Sequence, residues 1–172
     1  MKTALTGTPG TGKTTISKML RDGYGLEVLH LNEVIRAHRY YVGWDEDRNC
    51  RVVDLEALKA HPFSDGLLLE GHLSHLLPVD RVIVLRTDPD VLRRRLQKKG
   101  FSSNKIRENV EAEILDAILV EAFGLHGKNV FEVNTTGTPS ESAQLVWEIT
   151  QGYRLERFAV GQYDWTGYLN DA

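Results

Sequence analysis

The sequence contains little cysteine, no long apolar run and no large excess of either charge. Cys50 is the single cysteine among 172 residues, so no disulfide bond can form within the chain. A lone thiol suits a reducing compartment, and we therefore expect a cytoplasmic protein. No apolar run approaches the ~18 residues of a membrane-spanning helix, and the first expected strand starts almost at once. We expect neither a membrane contact nor a signal peptide.

The overall charge argues against a strong general attraction to polyanions. Lysine and arginine total 21, and aspartate and glutamate total 24, which leaves a net charge of −3. Contact with nucleic acid or with an anionic membrane would therefore need a local basic patch. A chain of this length is most simply one domain.

Short apolar segments alternate with helical patterns along the chain. This alternation predicts an α/β fold in which helices cover both faces of a parallel sheet. Ligands bind such sheets at the carboxyl ends of the strands, so we expect the functional residues to meet at that edge. The expected strands are residues 2–6, 26–29, 66–70, 81–86 and 129–133.

The connecting segments carry further local signals. Apolar residues at helical spacing predict one long helix over residues 106–123. Residues 40–49 are polar and aromatic without clear periodicity, and we expect a loop there. Aromatic and apolar residues of the C-terminal tail, 158–169, are expected to pack on the core rather than to bind a partner. The residues predicted to cap helix starts are Asn32, Asp54, Asp88 and Thr138.

A phosphate-binding loop is the most specific motif. Residues 7–14 read Gly-Thr-Pro-Gly-Thr-Gly-Lys-Thr, and they lie between an expected strand and an expected helix. Glycines let backbone N–H groups surround phosphate oxygens, and the helix N-terminus adds partial positive charge. Lys13 is expected to reach the β- and γ-phosphates of a nucleotide, and Thr14 to offer its hydroxyl to Mg²⁺. We call residues 7–14 the phosphate loop.

An acidic residue closes the third expected strand. Glu70 ends that strand and is followed by Gly71 and His72. An acid at a strand end beside a phosphate loop holds Mg²⁺, usually through water, or positions a nucleophile. We therefore predict a catalytic and metal-related role for Glu70, although an acid can also simply mark the end of a buried strand. His72 is predicted to contact phosphate or water.

The basic residues concentrate in one segment. Residues 93–107 hold seven of the 21 lysines and arginines and no acid. The middle of this segment, residues 100–104, reads Gly-Phe-Ser-Ser-Asn and is expected to be a flexible turn. Basic helix ends around such a turn suit a lid that closes over a triphosphate and brings cations to the transferred phosphoryl group. Lys99 and Arg95 are the first candidates for that contact, followed by Arg107. A solvated helix face and an RNA-binding patch are the alternatives.

No segment supplies a guanine-reading signature. Residues 104–107 read Asn-Lys-Ile-Arg. They lack the aspartate of an Asn-Lys-x-Asp guanine reader and do not follow an expected strand. ATP is therefore the expected nucleotide by default.

Taken together, these motifs resemble the adenylate kinase 6 family. Its members are small nucleoside monophosphate kinases that are also described as ATPases of small-ribosomal-subunit biogenesis. The similarity covers about residues 3–123, and the C-terminal Gly-Gln-Tyr-Asp-Trp of residues 161–165 looks like the archaeal branch. The matching pieces, in the family's order, are residues 6–15, 51–54, 70–72, 84–88, 95–106, 108–109 and 112–114.

The resemblance implies a complete architecture. It is a P-loop nucleoside monophosphate kinase-like three-layer α/β/α domain over residues 1–172, with a five-stranded parallel sheet in the order 2-3-1-4-5. Residues 30–53 would form an insert that binds the nucleoside monophosphate, here called the acceptor insert. Residues 98–108 would form the lid.

The resemblance also implies roles for individual residues. Arg36 would bind the phosphate of AMP, with Arg51 and Arg86 as further substrate-binding residues. The catalytic residues would be Lys13, Glu70, His72 and Arg95, and Thr14 and Glu70 would hold Mg²⁺, the latter through water. The residues that bind ATP would be Gly10, Thr11, Gly12, Lys13, Thr14, Thr15 and Lys99.

Two positions depart from the family pattern. Lys99 stands where members carry arginine before the lid glycine, and lysine lacks the planar fork of arginine. Glu70 stands where the eukaryotic members have aspartate, and its extra methylene moves the carboxylate by ~1.5 Å. The departure at Lys99 is expected to weaken kinase turnover. The departure at Glu70 is expected to change which water its carboxylate holds.

The expected activity is a broad-specificity nucleoside monophosphate kinase reaction, ATP + AMP = 2 ADP, together with ATPase activity. The resemblance implies AMP or another nucleoside monophosphate as acceptor and a role in maturation of the small ribosomal subunit. A platform protein of that subunit would be a partner, with pre-rRNA as another contact. The alternative is an ATP-driven assembly switch in which water is the main acceptor and kinase activity is minor.

Overall fold

The computed structural model describes residues 1–47 and 49–170. Residue 48, inside the segment predicted as a loop, and residues 171–172 of the predicted domain lie outside the described residues. Within the described part of the chain, no helix is both long and apolar enough to cross a membrane.

Five of the strands form one parallel sheet. Its order is β2-β5-β1-β6-β7, which is 2-3-1-4-5 when only these five strands are counted. The predicted sheet and its strand order are therefore confirmed. The strands of the protein are β1 (Thr3–Gly7), β2 (Val28–His30), β3 (Tyr41–Asp45), β4 (Cys50–Val53), β5 (Leu68–Glu70), β6 (Arg81–Arg86) and β7 (Val130–Asn134).

Helices cover both faces of the sheet, as the alternating pattern predicts. Their bounds are α1 (Lys13–Tyr24), α2 (Leu31–His38), α3 (Leu55–Ala60), α4 (Pro89–Lys98), α5 (Ser103–Ile114), α6 (Ala117–His126) and α7 (Pro139–Gln151). Successive strand residues point to opposite faces. Leu5 and Ile83 pack in the core with α1 and α7, whereas Ala4 and Val82 pack in the core with α6. The result is the predicted three-layer α/β/α arrangement.

Three of the four predicted helix caps are present. Asp54 accepts a hydrogen bond from the backbone N–H of Ala57, and Asp88 accepts from two backbone N–H groups at the start of α4. Thr138 forms a reciprocal capping box with Glu141. The prediction for Asn32 is wrong, because α2 already begins at Leu31 and its N-cap residue makes no side-chain capping bond.

The segment predicted as a loop over residues 40–49 is largely a β-hairpin. Strands β3 and β4 pair antiparallel, with Trp44 opposite Arg51 and Asp45 opposite Cys50. The hairpin is mostly exposed, and Val42 and Trp44 are more than half exposed. Because neither face of the hairpin is consistently buried, its sequence lacks the alternation of apolar and polar residues that indicates a strand.

The long helix predicted over residues 106–123 is broken into two. α5 ends at Ile114 and α6 begins at Ala117, with Asp116 between them in a left-handed conformation, φ 55°. The side chain of Asp116 accepts a hydrogen bond from Arg86, which holds the break in place. Phe123, at the end of the predicted long helix, is 50% exposed.

The C-terminal tail packs on the body of the protein, as predicted. Phe158 is buried in the core, and Trp165 and Tyr168 pack against the cluster formed by α4 and α5. The hydroxyl of Tyr168 donates to Asp88 at 2.6 Å. Leu169 is an exception, since nearly half of it is exposed.

A buried arginine organises one end of the sheet. The guanidinium of Arg86 donates to the carboxylates of Glu113 (2.9 Å), Glu132 (3.4 Å) and Asp116. Burial alone would lower the pKa of Arg86, but the carboxylates, Glu113 foremost, raise it. Glu113 also accepts a 2.6 Å hydrogen bond from the hydroxyl of Thr8 in the phosphate loop. The network therefore connects β6, β7, α5 and that loop.

The prediction that Arg86 binds substrate is wrong. Arg86 is 1% exposed, and its guanidinium nitrogens are used by the ion pairs and by the backbone oxygen of Glu113. A buried arginine surrounded by three carboxylates has no surface left for an incoming phosphate. Its role is to hold the fold.

Replacing Arg86 with leucine should lower the free energy of unfolding by about 3–5 kcal/mol, because buried carboxylates would lose their cation. Urea unfolding followed by circular dichroism measures this loss. Arg94→Leu is the matched control, since Arg94 is exposed on α4 and should change stability by about 0.5 kcal/mol or less. Equal stability of the two variants would contradict the structural role of Arg86.

Candidate functional site

The phosphate loop is shaped by glycine and by internal hydrogen bonds. Gly10 has φ 95°, and a Cβ there would lie 2.8 Å from a methyl group of Leu92. The backbone oxygen of Thr8 accepts from the hydroxyl of Thr11 at 2.8 Å and from its N–H at 3.2 Å. The loop leads into α1, whose N-cap Gly12 is also left-handed. Backbone N–H groups at that helix start are available to an anion.

Lys13 points back into the loop. Its ammonium group donates to the backbone oxygens of Gly7 (2.6 Å) and Thr8 (3.1 Å). Burial lowers the pKa of Lys13 to about 8, against the opposing attraction of Glu70. A phosphate in the loop would favour the charged form of Lys13 and give it a stronger partner than a carbonyl oxygen.

A cavity of about 220 Å³ lies in front of the phosphate loop, and we call it the phosphate cavity. It brings together three of the four predicted catalytic residues, which come from the loop and from the end of β5, and Lys99 joins them from the end of α4. The fourth, Arg95, does not line this cavity. Its lining residues are Pro9, Gly10, Gly12, Lys13, Thr14, Thr15, Asn32, Glu70, Gly71, His72, Lys99 and Phe101.

A second cavity of about 260 Å³ adjoins it, and we call it the side cavity. The two cavities share Gly10, Gly12, Thr15 and Lys99, so one extended ligand can occupy both. The surface of the side cavity is mainly apolar. The other lining residues are Thr11, Ile16, Arg95, Lys98, Thr135, Pro139 and Ser142.

The guanidinium of Arg95 is fixed in the wall of the side cavity. It donates to the backbone oxygen of Thr135 at 2.6 Å, and burial lowers the pKa of Arg95. The hydroxyl of Thr135 in turn donates to the backbone oxygen of Thr11 at 2.8 Å. A planar guanidinium held in this way is a suitable surface for stacking a nucleobase.

Glu70 and His72 face the phosphate cavity from the end of β5. Glu70 is 7% exposed and accepts a hydrogen bond from His30 Nδ1 at 2.6 Å. Partial burial and the nearby charge of Lys13 lower the pKa of His72 below its ordinary value. A neutral imidazole can accept or donate a hydrogen bond to a phosphate or to water.

The donor set of the phosphate cavity fits Mg²⁺. The hydroxyl of Thr14 and the carboxylate of Glu70 line the same cavity. Mg²⁺ in phosphoryl-transfer sites takes one or two such protein ligands and completes its shell with water and phosphate oxygens. Among the described residues there is no cluster of three or more His, Cys, Asp or Glu ligands. The site therefore suits a metal that arrives with a nucleotide.

Some of the predicted site residues lie elsewhere. Arg36 and Arg51 are exposed and line neither cavity, and the guanidinium of Arg51 lies over the ring of Tyr41 at 4.9 Å. The sequence interpretation also missed His30 and Thr135. Each of the two lies at or just after the carboxyl end of a parallel strand, so the strand-end rule could have identified both.

Comparison with known proteins identifies the family of the chain. The profile of a family described as "AAA domain" matches residues 4–116. A protein of Methanothermobacter thermautotrophicus named "Putative adenylate kinase" is 46% identical, over 96% of this chain and 97% of its own. A protein of the same name from Natronomonas pharaonis is 44% identical, over 98% of this chain and all of its own. The chain belongs to this archaeal adenylate kinase family.

Solved structures support the fold of this adenylate kinase family member. A shikimate kinase from Acinetobacter baumannii in complex with shikimate superposes with a TM-score of 0.58 at 19% identity, over 90% of this chain and 94% of its own. A deoxyadenosine kinase from M. mycoides with bound dATP superposes with a TM-score of 0.56 at 15% identity, over 88% of this chain and 100% of its own. At such low identity these neighbours establish the kinase-like fold alone.

The lowered pKa of Lys13 predicts a pH-dependent stability difference. Above about pH 8 the folded protein loses this proton while the unfolded chain keeps it up to the ordinary value of 10.5. The unfolded state then binds more protons, so stability rises with pH in this window. Relative to Lys13→Met, the unmodified protein should gain about 2 kcal/mol between about pH 7.5 and about pH 9.5.

Urea unfolding of the nucleotide-free protein at a series of pH values measures this gain. Lys18→Met is the matched control, because Lys18 is exposed on the same helix and no such difference is expected. A pH-independent difference between the protein and Lys13→Met would show that Lys13 keeps an ordinary pKa.

Proposed function

We propose that this protein is a broad-specificity nucleoside monophosphate kinase that transfers the γ-phosphoryl group of ATP to AMP, ATP + AMP = 2 ADP. The observation that carries the proposal is the meeting of Lys13, Glu70, His72 and Lys99 in one cavity in front of the phosphate loop. The adjoining side cavity has room for a nucleoside. The family membership of the chain supports the same reaction.

In this proposal ATP binds along both cavities. Its phosphates lie against the backbone N–H groups of the phosphate loop, and its base lies in the side cavity against Arg95. The described lining of the side cavity includes no acidic side chain to accept from the N1–H and amino groups of a guanine. The amino group of adenine can donate to a backbone oxygen instead, and base contacts through backbone groups permit broad specificity. Thr14 and Glu70 would hold Mg²⁺, which neutralises charge on the β- and γ-phosphates.

Transfer depends on positioning and on positive charge. Lys13 and Lys99 would stabilise the charge that develops on the transferred phosphoryl group. Lys99 is well placed for this task, because it lines both cavities just before the turn that begins at Gly100. Residues 98–108 would act as the lid that excludes water from the reacting groups.

The acceptor would enter from the side of α2. Asn32 of this helix lines the phosphate cavity, and the exposed Arg36 lies one helical turn further along. Residues 30–53 contain α2 and the β3–β4 hairpin, and we propose that they bind AMP with Arg36 and Arg51 as phosphate contacts. Both arginines are free to move toward a ligand because their side chains are exposed.

The exposed basic surface supports a second function. Arg94, Lys98, Lys105 and Arg107 are exposed around the proposed lid, so lid closure would change the surface offered to a partner. We propose that the protein also hydrolyses ATP during maturation of the small ribosomal subunit, where it would bind a platform protein and contact pre-rRNA. In this function water replaces AMP as the acceptor.

An assay of ADP formation with and without AMP separates the two functions. The kinase proposal predicts ADP production that depends on AMP, with two ADP formed for each AMP consumed. ADP and phosphate release without AMP, increased by a ribosomal partner, would identify the assembly ATPase. Lys13→Met should lose about 100-fold or more in both activities, because it removes a charge from the transferred phosphate. Unchanged turnover in this variant would refute the assigned site.

Lys99 should contribute to turnover through its charge. Lys99→Ala should lower kcat about 100-fold or more, as expected when one group that stabilises developing charge is removed. Lys99→Arg should keep or exceed the original kcat because it restores a planar bidentate donor. Arg94→Ala, an exposed change on the same helix that lines neither cavity, is the control. Equal kcat in Lys99→Ala and Arg94→Ala would exclude Lys99 from the reaction.

A further inference from the structure

A histidine outside the recognised motifs contacts the acid of the phosphate cavity. His30 ends β2, and in the register of the sheet it lies beside Glu70 at the end of β5. His30 Nδ1 and Glu70 Oε2 are 2.6 Å apart. A carboxylate can only accept a hydrogen bond, so the Nδ1–H group of His30 is the donor.

The contact is shielded from water. The side chain of His30 is 22% exposed and that of Glu70 is 10% exposed. A charge-assisted hydrogen bond is short and strong, and it is less weakened by solvent when its groups are buried. It therefore limits the rotation of a glutamate side chain, which otherwise has three rotatable bonds.

The position of His30 also connects two parts of the site. His30 is the N-cap residue of α2, yet its ring makes no capping hydrogen bond and is used for Glu70 instead. Two residues later, Asn32 lines the phosphate cavity. The hydrogen bond thus joins the start of α2, on the acceptor side, to the strand that carries the acid.

We propose that His30 is a positioning residue for phosphoryl transfer, acting through Glu70. By holding Oε2, His30 directs the other carboxylate oxygen of Glu70 toward the reacting groups and fixes the start of α2 relative to β5. The side chain of glutamate is one methylene longer than that of aspartate, and this hydrogen bond gives its carboxylate a defined position. This inference rests on the kinase function proposed above.

A double-mutant cycle tests the proposal with His30→Ala, Glu70→Ala and the double variant. His30→Ala should lower kcat about 10–100-fold, as expected for a misplaced catalytic group, while KM for ATP changes about twofold or less. If His30 acts through Glu70, the double variant should have the kcat of Glu70→Ala alone, because the two residues act as a unit. Losses that multiply in the double variant would overturn the proposal.

A conservative variant separates positioning from a general effect on the fold. The amide of asparagine can donate a hydrogen bond from nearly the position of His Nδ1, so His30→Asn should recover most of the lost kcat. His126→Ala is the control, since His126 ends α6, lies outside the acceptor insert and lines neither cavity. Circular dichroism and the melting temperature show whether each variant is folded.

The possible failures are distinguishable. AMP-dependent ADP formation by the unmodified protein, together with unchanged kcat in His30→Ala, would overturn the role of His30 alone. Absence of that activity in the unmodified protein would overturn both the kinase function and this inference. If His30→Ala is unfolded, the comparison is made with His30→Asn and His30→Gln. If His30→Gln lowers kcat by the same factor in the Glu70→Ala variant as in the unmodified protein, His30 does not act through Glu70.

Discussion

The ion pairs of the buried Arg86 hold separate parts of the site in one arrangement. It binds carboxylates from α5, from the α5–α6 junction and from β7, and Glu113 extends the network to Thr8 in the phosphate loop. A single cation shared by three acids has strong geometric requirements, because the carboxylates of Glu113 and Glu132 are buried and a displacement would separate them from this cation. The phosphate loop and α5, whose first turns belong to the proposed lid, are therefore fixed to the same guanidinium.

The sequence was sufficient where the signals are local. The phosphate loop, the caps at Asp54, Asp88 and Thr138 and the apolar strands depend on residues close together in the chain, and the sheet order followed from the family resemblance. The break at Asp116 could not be predicted, because its cause is a contact with Arg86, 30 residues away. The role of Arg86 was mistaken for the same reason, since a lone arginine at a strand end gives no sign of three distant acids.

The part of the candidate site around the phosphate loop was predictable from the sequence, and the side proposed to bind the acceptor was not. Residues of the phosphate loop, Glu70 and Lys99 meet in one cavity because the carboxyl ends of parallel strands share an edge. The acceptor half has no comparable local pattern. Exposed arginines such as Arg36 carry no sequence signal that separates ligand contacts from solvated charges. The partnership of His30 with Glu70 depends on strand register, which becomes known only when β2 and β5 are paired.

The C-terminal tail has a consequence for the order of folding. Tyr168 binds Asp88, the residue that caps α4, at a separation of 80 positions, and Trp165 packs against α4 and α5. Contacts between distant positions carry a large loop-closure cost, so they form late unless other contacts have already brought the two segments together. The two helices on either side of the turn at residues 99–102 therefore receive part of their support from a segment that docks late.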